Sequence, residues 1–229
     1  GSDLTILAVV LPWAAVTCRR LWKRQDLESR IQNFSAVCLL LYYAASAALG
    51  ITYNSLHLAY ILLLGACFYG AVFQGAFLYR IQCQRPDVCR YRVTRGMHAY
   101  LILGGISLFV AWLPDILSSL ASGTSLALIE VYTTEITNVL DMGIISPLLF
   151  LTLALVKNHC FMGYVLLRMA LRVCMGVGIM LPVQTVCQLL AGIVLPLPAL
   201  ITKVGIFVLL AGASFWLERC LRRATVYLE

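Results

Sequence analysis

HLAYILLLGACFYGAVFQGAFLY at residues 57–79, followed by RIQCQRPDVCRYRVTR at residues 80–95, is the pattern that decides the fold of this chain. The first stretch is long and apolar enough to cross the hydrocarbon core of a bilayer as a helix, which takes about 20 residues. The second stretch carries five arginines. Because basic residues beside membrane spans stay on the cytoplasmic side, the pair is read as a span followed by an inner connection.

The same pattern repeats along the whole sequence. Fourteen of the 17 Lys and Arg lie in the first, third and fifth connections between apolar stretches and in the C-terminal tail, and the even-numbered connections have none. This alternation predicts an all-α polytopic transmembrane helix bundle of seven spans, with the N-terminus outside, the C-terminus inside and a single domain over 1–229. The predicted spans are about 4–18, 34–52, 57–79, 98–120, 136–156, 160–185 and 198–218.

Composition supports lipid as the solvent of this chain. The sequence is 62% hydrophobic and 12% charged, with a mean hydropathy of +0.91, whereas soluble domains are about 45–50% apolar and about 25% charged. The net charge of +7 sits beside predicted helix ends, which argues for the lipid bilayer as partner and against nucleic acid. We expect an integral protein of a bacterial cytoplasmic membrane, with no cofactor and no metal site.

Three segments depart from the regular pattern. Gly1 and Ser2 are interpreted as an expression scar and are left out of the fold argument. Residues 113–136, LPDILSSLASGTSLALIEVYTTEI, form a semi-polar outer segment that is long for a loop in a compact bundle. Residues 182–198, PVQTVCQLLAGIVLPLP, contain three prolines and two glutamines within apolar sequence, which predicts a broken helix.

Two charged residues are predicted at the same membrane depth. Asp141 precedes Lys157 by 16 residues, and Lys203 precedes Arg219 by 16 residues. At a rise of about 1.5 Å per residue, each lies about 24 Å from the inner end of its span. Charges at this depth are costly and are suspected of function. An Asp–Lys pair between the fifth and last helices would serve equally as a structural ion pair or as a ligand site.

Further polar residues are predicted around that level, in an outward-facing pocket. They comprise two neighbours of Asp141 on its helix, two amides of the broken segment and two residues of the second connection: Glu135, Asn138, Gln184, Gln188, Tyr53 and Asn54. Arg172 lies near mid-membrane on the sixth span, one turn after Arg168, and needs an acidic partner, a wet cavity or an anionic ligand. Asp141 is the partner expected for Arg172 if the two helices adjoin.

Catalysis has little support in the sequence. Motifs such as HExxH, GxSxG, a P-loop and GxGxxG are not found. The three histidines lie at span ends, too far apart in depth to share a metal. No catalytic residues are assigned, and an enzyme is the less favoured class.

Two stretches resemble a family of uncharacterised bacterial multi-spanning membrane proteins. YYAASAALGITYNSLHLAYILLLGACFYG is similar to its second and third spans, with Tyr53-Asn54-Ser55 where the family has Tyr-Asn-Pro. NVLDMGIISPLLFLTLALVKNHCFMGYVL is similar to its Val-Leu-Asp span, basic turn and Gly-Tyr. The resemblance implies topology and points to Tyr53, Asn54 and Asp141, but it implies no activity. The remaining matched positions are Asn138, Pro147, Gly163 and Tyr164.

The leading functional hypothesis is the binding or transport of a small solute through a polar pocket in the outer half of the bundle. A second hypothesis is a receptor-like or accessory membrane subunit whose basic inner connections contact a cytoplasmic protein partner or anionic lipid. A membrane-embedded lipid-modifying enzyme is a third, weaker hypothesis. In the first case Asp141, Lys203, Glu135 and Arg172 would recognise charge on the solute.

Overall fold

The computed structural model describes residues 2–123, 136–192 and 204–227. Six helices in these ranges are long and apolar enough to cross a membrane. They are α1 Asp3–Arg24, α2 Leu27–Gly50, α3 His57–Gln84, α4 Arg95–Ser122, α5 Ile136–Lys157 and α6 Phe161–Leu190. A further helix, α7, covers Ile206–Arg223. The part of the predicted seventh span that precedes it falls partly outside the described residues.

Capping residues mark the ends of several helices. The Asp26 carboxylate accepts a hydrogen bond of 2.7 Å from the Ser29 amide at the start of α2. The Thr94 hydroxyl accepts one of 3.3 Å from the Met97 amide at the start of α4. Such N-caps satisfy amides that have no partner within the helix. Gly123, in the left-handed conformation at φ 63°, ends α4.

Two helices contain a wider π-helical turn directly before a proline. Ile6–Val10 precedes Pro12 in α1, and Asp141–Ile145 precedes Pro147 in α5. Proline lacks the amide proton and its ring crowds the preceding turn, so a local widening relieves the contact without ending the helix. Asp141 is therefore the first residue of an irregular turn.

The predicted break within 182–198 does not occur at Pro182, and over the rest of the segment it stays a prediction. Helix α6 continues through Pro182 to Leu190, and residues 193–198 lie outside the described residues. Proline is tolerated inside membrane helices because neighbouring groups satisfy the carbonyl that it leaves free. Helix α4 likewise continues through Pro114 to Ser122, so the beginning of the segment 113–136 is helical.

Helix α6 is the central element of the bundle. It packs against α2, α5 and α7, while α1 and α3 pack on α2, and α4 packs on α5. Its first half supplies much of the core, including the fully buried side chains of Tyr164, Leu167 and Leu171. Gly163 lets α6 begin close to the end of α5, since a Cβ there would lie 2.7 Å from the Leu155 carbonyl carbon.

A short antiparallel ribbon joins the third connection to the tail. Strand β1, Cys89–Tyr91, pairs with strand β2, Thr225–Tyr227, in the register that sets Arg90 opposite Val226. The Tyr91 hydroxyl donates a hydrogen bond of 2.8 Å to the Cys160 carbonyl, at the turn between α5 and α6. The ends of α3, α5 and α7 thus meet at one end of the bundle, which we call the basic end.

Candidate functional site

A cavity of about 70 Å³ lies inside the bundle. Helices α2, α4, α5, α6 and α7 all contribute to its wall, which is almost entirely aliphatic and aromatic. Polar atoms enter it from few side chains. The residues that line it are Tyr42, Tyr100, Gly104, Leu108, Asp141, Ile145, Leu148, Leu149, Met169, Ala170, Val173, Cys174, Val177, Phe207 and Leu210.

Asp141 brings the acidic group to this cavity. Its side chain is 5% exposed, and each carboxylate oxygen has one neutral donor. The Tyr42 hydroxyl donates to Oδ1 at 2.8 Å, and Trp112 Nε1 donates to Oδ2 at 3.0 Å. Donors from α2 and α4 thereby fix the orientation of a carboxylate on α5. This arrangement leaves further lone pairs on both oxygens for a third partner.

Tyr100 and Ser214 supply a second polar feature beside the cavity. The Tyr100 hydroxyl lies 2.6 Å from the Ser214 hydroxyl oxygen, joining α4 to α7. Tyr100 is five residues from the start of α4, about 8 Å from the basic end, whereas Asp141 is near the opposite end of α5. The cavity therefore extends along the bundle rather than across it.

The basic end holds a buried network of four charges that the sequence did not predict. Arg168 Nη2 donates to Glu28 Oε1 and to Glu218 Oε1, both at 2.8 Å. Arg172 Nη2 donates to Glu218 Oε1 at 2.7 Å and lies 3.6 Å from Glu28 Oε1. Two arginines and two glutamates give no net charge, which lets α6 bury both guanidinium groups among α2 and α7.

Tyrosines connect this network to the ribbon. The Tyr227 hydroxyl donates to Glu28 Oε2 at 2.6 Å and accepts from Arg168 Nη1 at 3.2 Å. The Tyr164 hydroxyl accepts from the same nitrogen at 3.0 Å. Burial, with the nearby Tyr164 hydroxyl and Glu28 carboxylate, raises the pKa of Tyr227 above its usual value, so the phenol keeps its proton and remains a donor.

The two carboxylate oxygens of Glu218 differ in their hydrogen bonding. Its Oε1 accepts hydrogen bonds from both arginines, whereas its buried Oε2 has no hydrogen-bond partner among the described residues. A buried carboxylate held at one oxygen depends strongly on those two guanidinium groups.

Of the described residues that were predicted to form one pocket, only Asp141 lines the cavity. Arg172 pairs with Glu218 and Glu28 rather than with Asp141. Tyr53 is 86% exposed. Asn54 accepts a hydrogen bond of 2.8 Å from the Leu56 amide and so stabilises its own turn.

The other predicted residues are less informative. Asn138 is buried one turn before Asp141. Gln184 and Gln188 are half-buried in the last part of α6 and are not among the residues that line the cavity. Glu135 and Lys203 lie outside the described residues. Their participation stays a prediction.

Sequence reasoning missed the residues that hold the two sites together. Tyr42 and Trp112 are unremarkable in an apolar helix, and only the packing of α2 and α4 against α5 brings them to Asp141. One signal for the network was present: two arginines one turn apart at membrane depth require acidic partners at the same level. Glu28 and Glu218 were the acids near predicted inner ends that could have met this need.

Comparison with protein-family models, with curated proteins and with solved structures finds no match to this chain. The resemblance to uncharacterised bacterial membrane proteins therefore depends on the quoted residues alone. Of its matched positions, Gly163 and Tyr164 have clear roles, in the α5–α6 turn and in the charge network.

Proposed function

We propose that this protein is an integral membrane protein that binds, and carries across the bilayer, a small solute in the interior cavity beside Asp141. The observation that carries the proposal is a nearly buried carboxylate, oriented by two donors from other helices, at the wall of an otherwise apolar cavity. Small-molecule sites typically combine apolar walls with a few placed polar groups.

The orientation and the depth of the site belong to the same proposal. Exposed arginines cluster at the basic end, which supports a cytoplasmic location for that end and an external N-terminus. The same orientation requires a seventh span, which would begin before Ile206. Asp141 then lies in the outer half of the bilayer. Phe207 lines the cavity, whereas Lys203, four residues earlier in the sequence, lies outside the described residues.

A thermal-unfolding screen tests the binding part. Protein in detergent is mixed singly with small metabolites, and a ligand raises the unfolding temperature by mass action. The shift should disappear in Asp141→Asn. Asp115→Asn, at an exposed position on α4, is the matched control and should keep it. An equal shift in Asp141→Asn and in the unmodified protein would reject Asp141 as the anchor.

Flux measurements test the transport part. A compound found in the screen is loaded outside proteoliposomes, and its uptake is compared between the unmodified protein, Asp141→Asn and Asp115→Asn. Uptake that depends on Asp141 supports transport. Binding without uptake would leave a receptor-like role.

An accessory subunit is the second candidate, and a specific observation favours it. Arg85, Arg90 and Arg92 are exposed around β1, where they form a basic surface beside the ribbon. Such a surface suits a cytoplasmic protein partner or anionic lipid headgroups. Reversing all three charges to Glu should release a bound partner or lipid during purification, whereas a solute carrier should keep its ligand-induced thermal shift.

A further inference from the structure

The absence of an ion pair distinguishes Asp141 from the other buried Asp, Glu, Lys and Arg side chains in the described ranges. Four charged residues there are buried: Asp141, Arg168, Arg172 and Glu218. The last three form ion pairs with one another and with Glu28. Asp141 forms none with a described residue, and its two partners are neutral. The cavity therefore has one acidic side chain on its wall without a basic partner in the described part of the chain.

The geometry of the carboxylate leaves room for a cationic partner. A carboxylate has about four lone-pair sites, and Tyr42 and Trp112 occupy two of them. A donor that reaches the remaining lone-pair sites from the cavity would complete the hydrogen bonding of the carboxylate. A charged donor gains more there than a neutral one, because charge-assisted hydrogen bonds are roughly twice as strong as neutral ones.

The size and walls of the cavity restrict the rest of the ligand. Aliphatic side chains such as Leu149, Val173 and Leu210 face it, so the ligand body is apolar. Its volume of about 70 Å³ is about half that of an engineered apolar cavity of about 150 Å³ that binds benzene. A body of about three to five carbon atoms is therefore the appropriate size.

We propose that the cavity selects small alkylammonium ions, with the ammonium group on Asp141 and the alkyl chain along the aliphatic wall. This inference rests on the proposed solute site and adds the charge class of the solute. An anion of the same shape is rejected by the carboxylate. A neutral alcohol of the same shape fills the cavity but forms the weaker hydrogen bond.

Three compounds of one shape test the charge class: n-butylamine, 1-butanol and butyrate. Binding is measured by calorimetry with the protein in lipid nanodiscs at pH 7, where an alkylamine with a pKa near 10.4 is protonated. We expect butylamine to bind at least about tenfold more tightly than butanol, since charge-assisted hydrogen bonds are roughly twice as strong as neutral ones. Butyrate should give no binding heat.

Two variants assign the binding to the cavity. Asp141→Asn has nearly the same shape and should lose the preference for the amine while keeping a cooperative thermal unfolding transition. Ala170→Leu extends a side chain into the cavity and should weaken butylamine and butanol together. A preference for butylamine that survives Asp141→Asn would overturn the proposal.

The remaining outcomes separate this inference from the proposed function. If butanol or butyrate binds as tightly as butylamine, and Ala170→Leu abolishes that binding, the solute site stands and the charge class is wrong. If Lys203→Met gains amine binding that the unmodified protein lacks, the chain supplies its own counter-charge and the inference is again wrong. If none of the three compounds binds to any variant, the cavity site itself is rejected, and the inference with it.

Discussion

At the scale of single residues, the buried network concentrates its charge on one atom. Glu218 Oε1 accepts from Arg168 at 2.8 Å and from Arg172 at 2.7 Å, within a region from which water is largely excluded. Glu28 depends less on the arginines. Its side chain is 26% exposed, and it also accepts hydrogen bonds from Gln32 and Tyr227. The two glutamates therefore contribute unequally to stability.

We expect Glu218→Gln to destabilise the protein by about 3–5 kcal/mol, because the change leaves the buried Arg172 guanidinium without its main partner. Glu28→Gln should cost less, since water reaches part of that side chain and stabilises the exposed groups. Chemical and thermal unfolding in detergent measure both. Equal losses in the two variants would contradict the unequal roles.

The sequence predicted individual residues only in part. Asp141 was singled out from its depth and from the family resemblance, and it lines the cavity. Asp141 was one of the partners considered for Arg172, but Arg172 pairs with Glu218, which is 46 residues away in the sequence. The sequence does not reveal that α6 and α7 adjoin. Glu28 and Glu218 resemble ordinary interfacial residues until the helices are placed side by side.

At the scale of helices, close approach of α6 and α7 brings these charges together. A Cβ atom at Gly178 would lie 2.2 Å from the Ala211 Cβ and 3.0 Å from the Phe207 carbonyl oxygen. Only glycine fits at that separation. Small residues at such crossings let backbones pack closely where lipid provides no hydrophobic driving force.

Gly178→Val should therefore separate α6 from α7 and destabilise the protein by about 1–3 kcal/mol or more, as overpacking of a close contact does. Gly212→Val is the matched control, because a Cβ there meets nothing within 4 Å among the described residues. Thermal unfolding of both variants in one detergent measures the difference. A loss of similar size at Gly212 would show that valine harms these helices regardless of packing.

Helix existence was easier to predict from the sequence than helix ends or irregularities. Apolar length located the six long helices, but α1 extends to Arg24, beyond the apolar stretch 4–18, because polar residues continue a helix into the interface. The three prolines of 182–198 suggested a break, yet α6 passes through Pro182. The π-helical turn at Asp141 follows from the local effect of Pro147, which the period of the apolar residues does not reveal.

At the scale of the whole molecule, the basic connections gather at one end. The β1–β2 ribbon, the Tyr91 contact with Cys160 and the hydrogen bond from the Met162 amide to Gln82 join them there. Alternation of charge along the sequence predicted this grouping without any knowledge of packing. Which helices adjoin, and hence where the cavity forms, required the structure.

The proposed orientation predicts opposite labelling of the two ends. Cys83 is exposed at the basic end, and Ser118 is exposed near the far end of α4. In a variant whose single cysteine is Cys83, a membrane-impermeant maleimide should react only after the cells are permeabilised. With Ser118→Cys as the single cysteine, it should react on intact cells. The reverse pattern would invert the orientation.

Burial of Arg168 and Arg172 beside Glu218 also has a consequence for biogenesis. A ribosome delivers α6 well before Glu218, which follows Arg168 by 50 residues, so the nascent helix must enter the bilayer with Glu28 as the acid available from this network. Tyr227 follows Glu28 by 199 residues and is synthesised after all of the described helices. We therefore expect chains stalled before Glu218, in which Arg172 lacks its main acidic partner, to be substrates for membrane proteases.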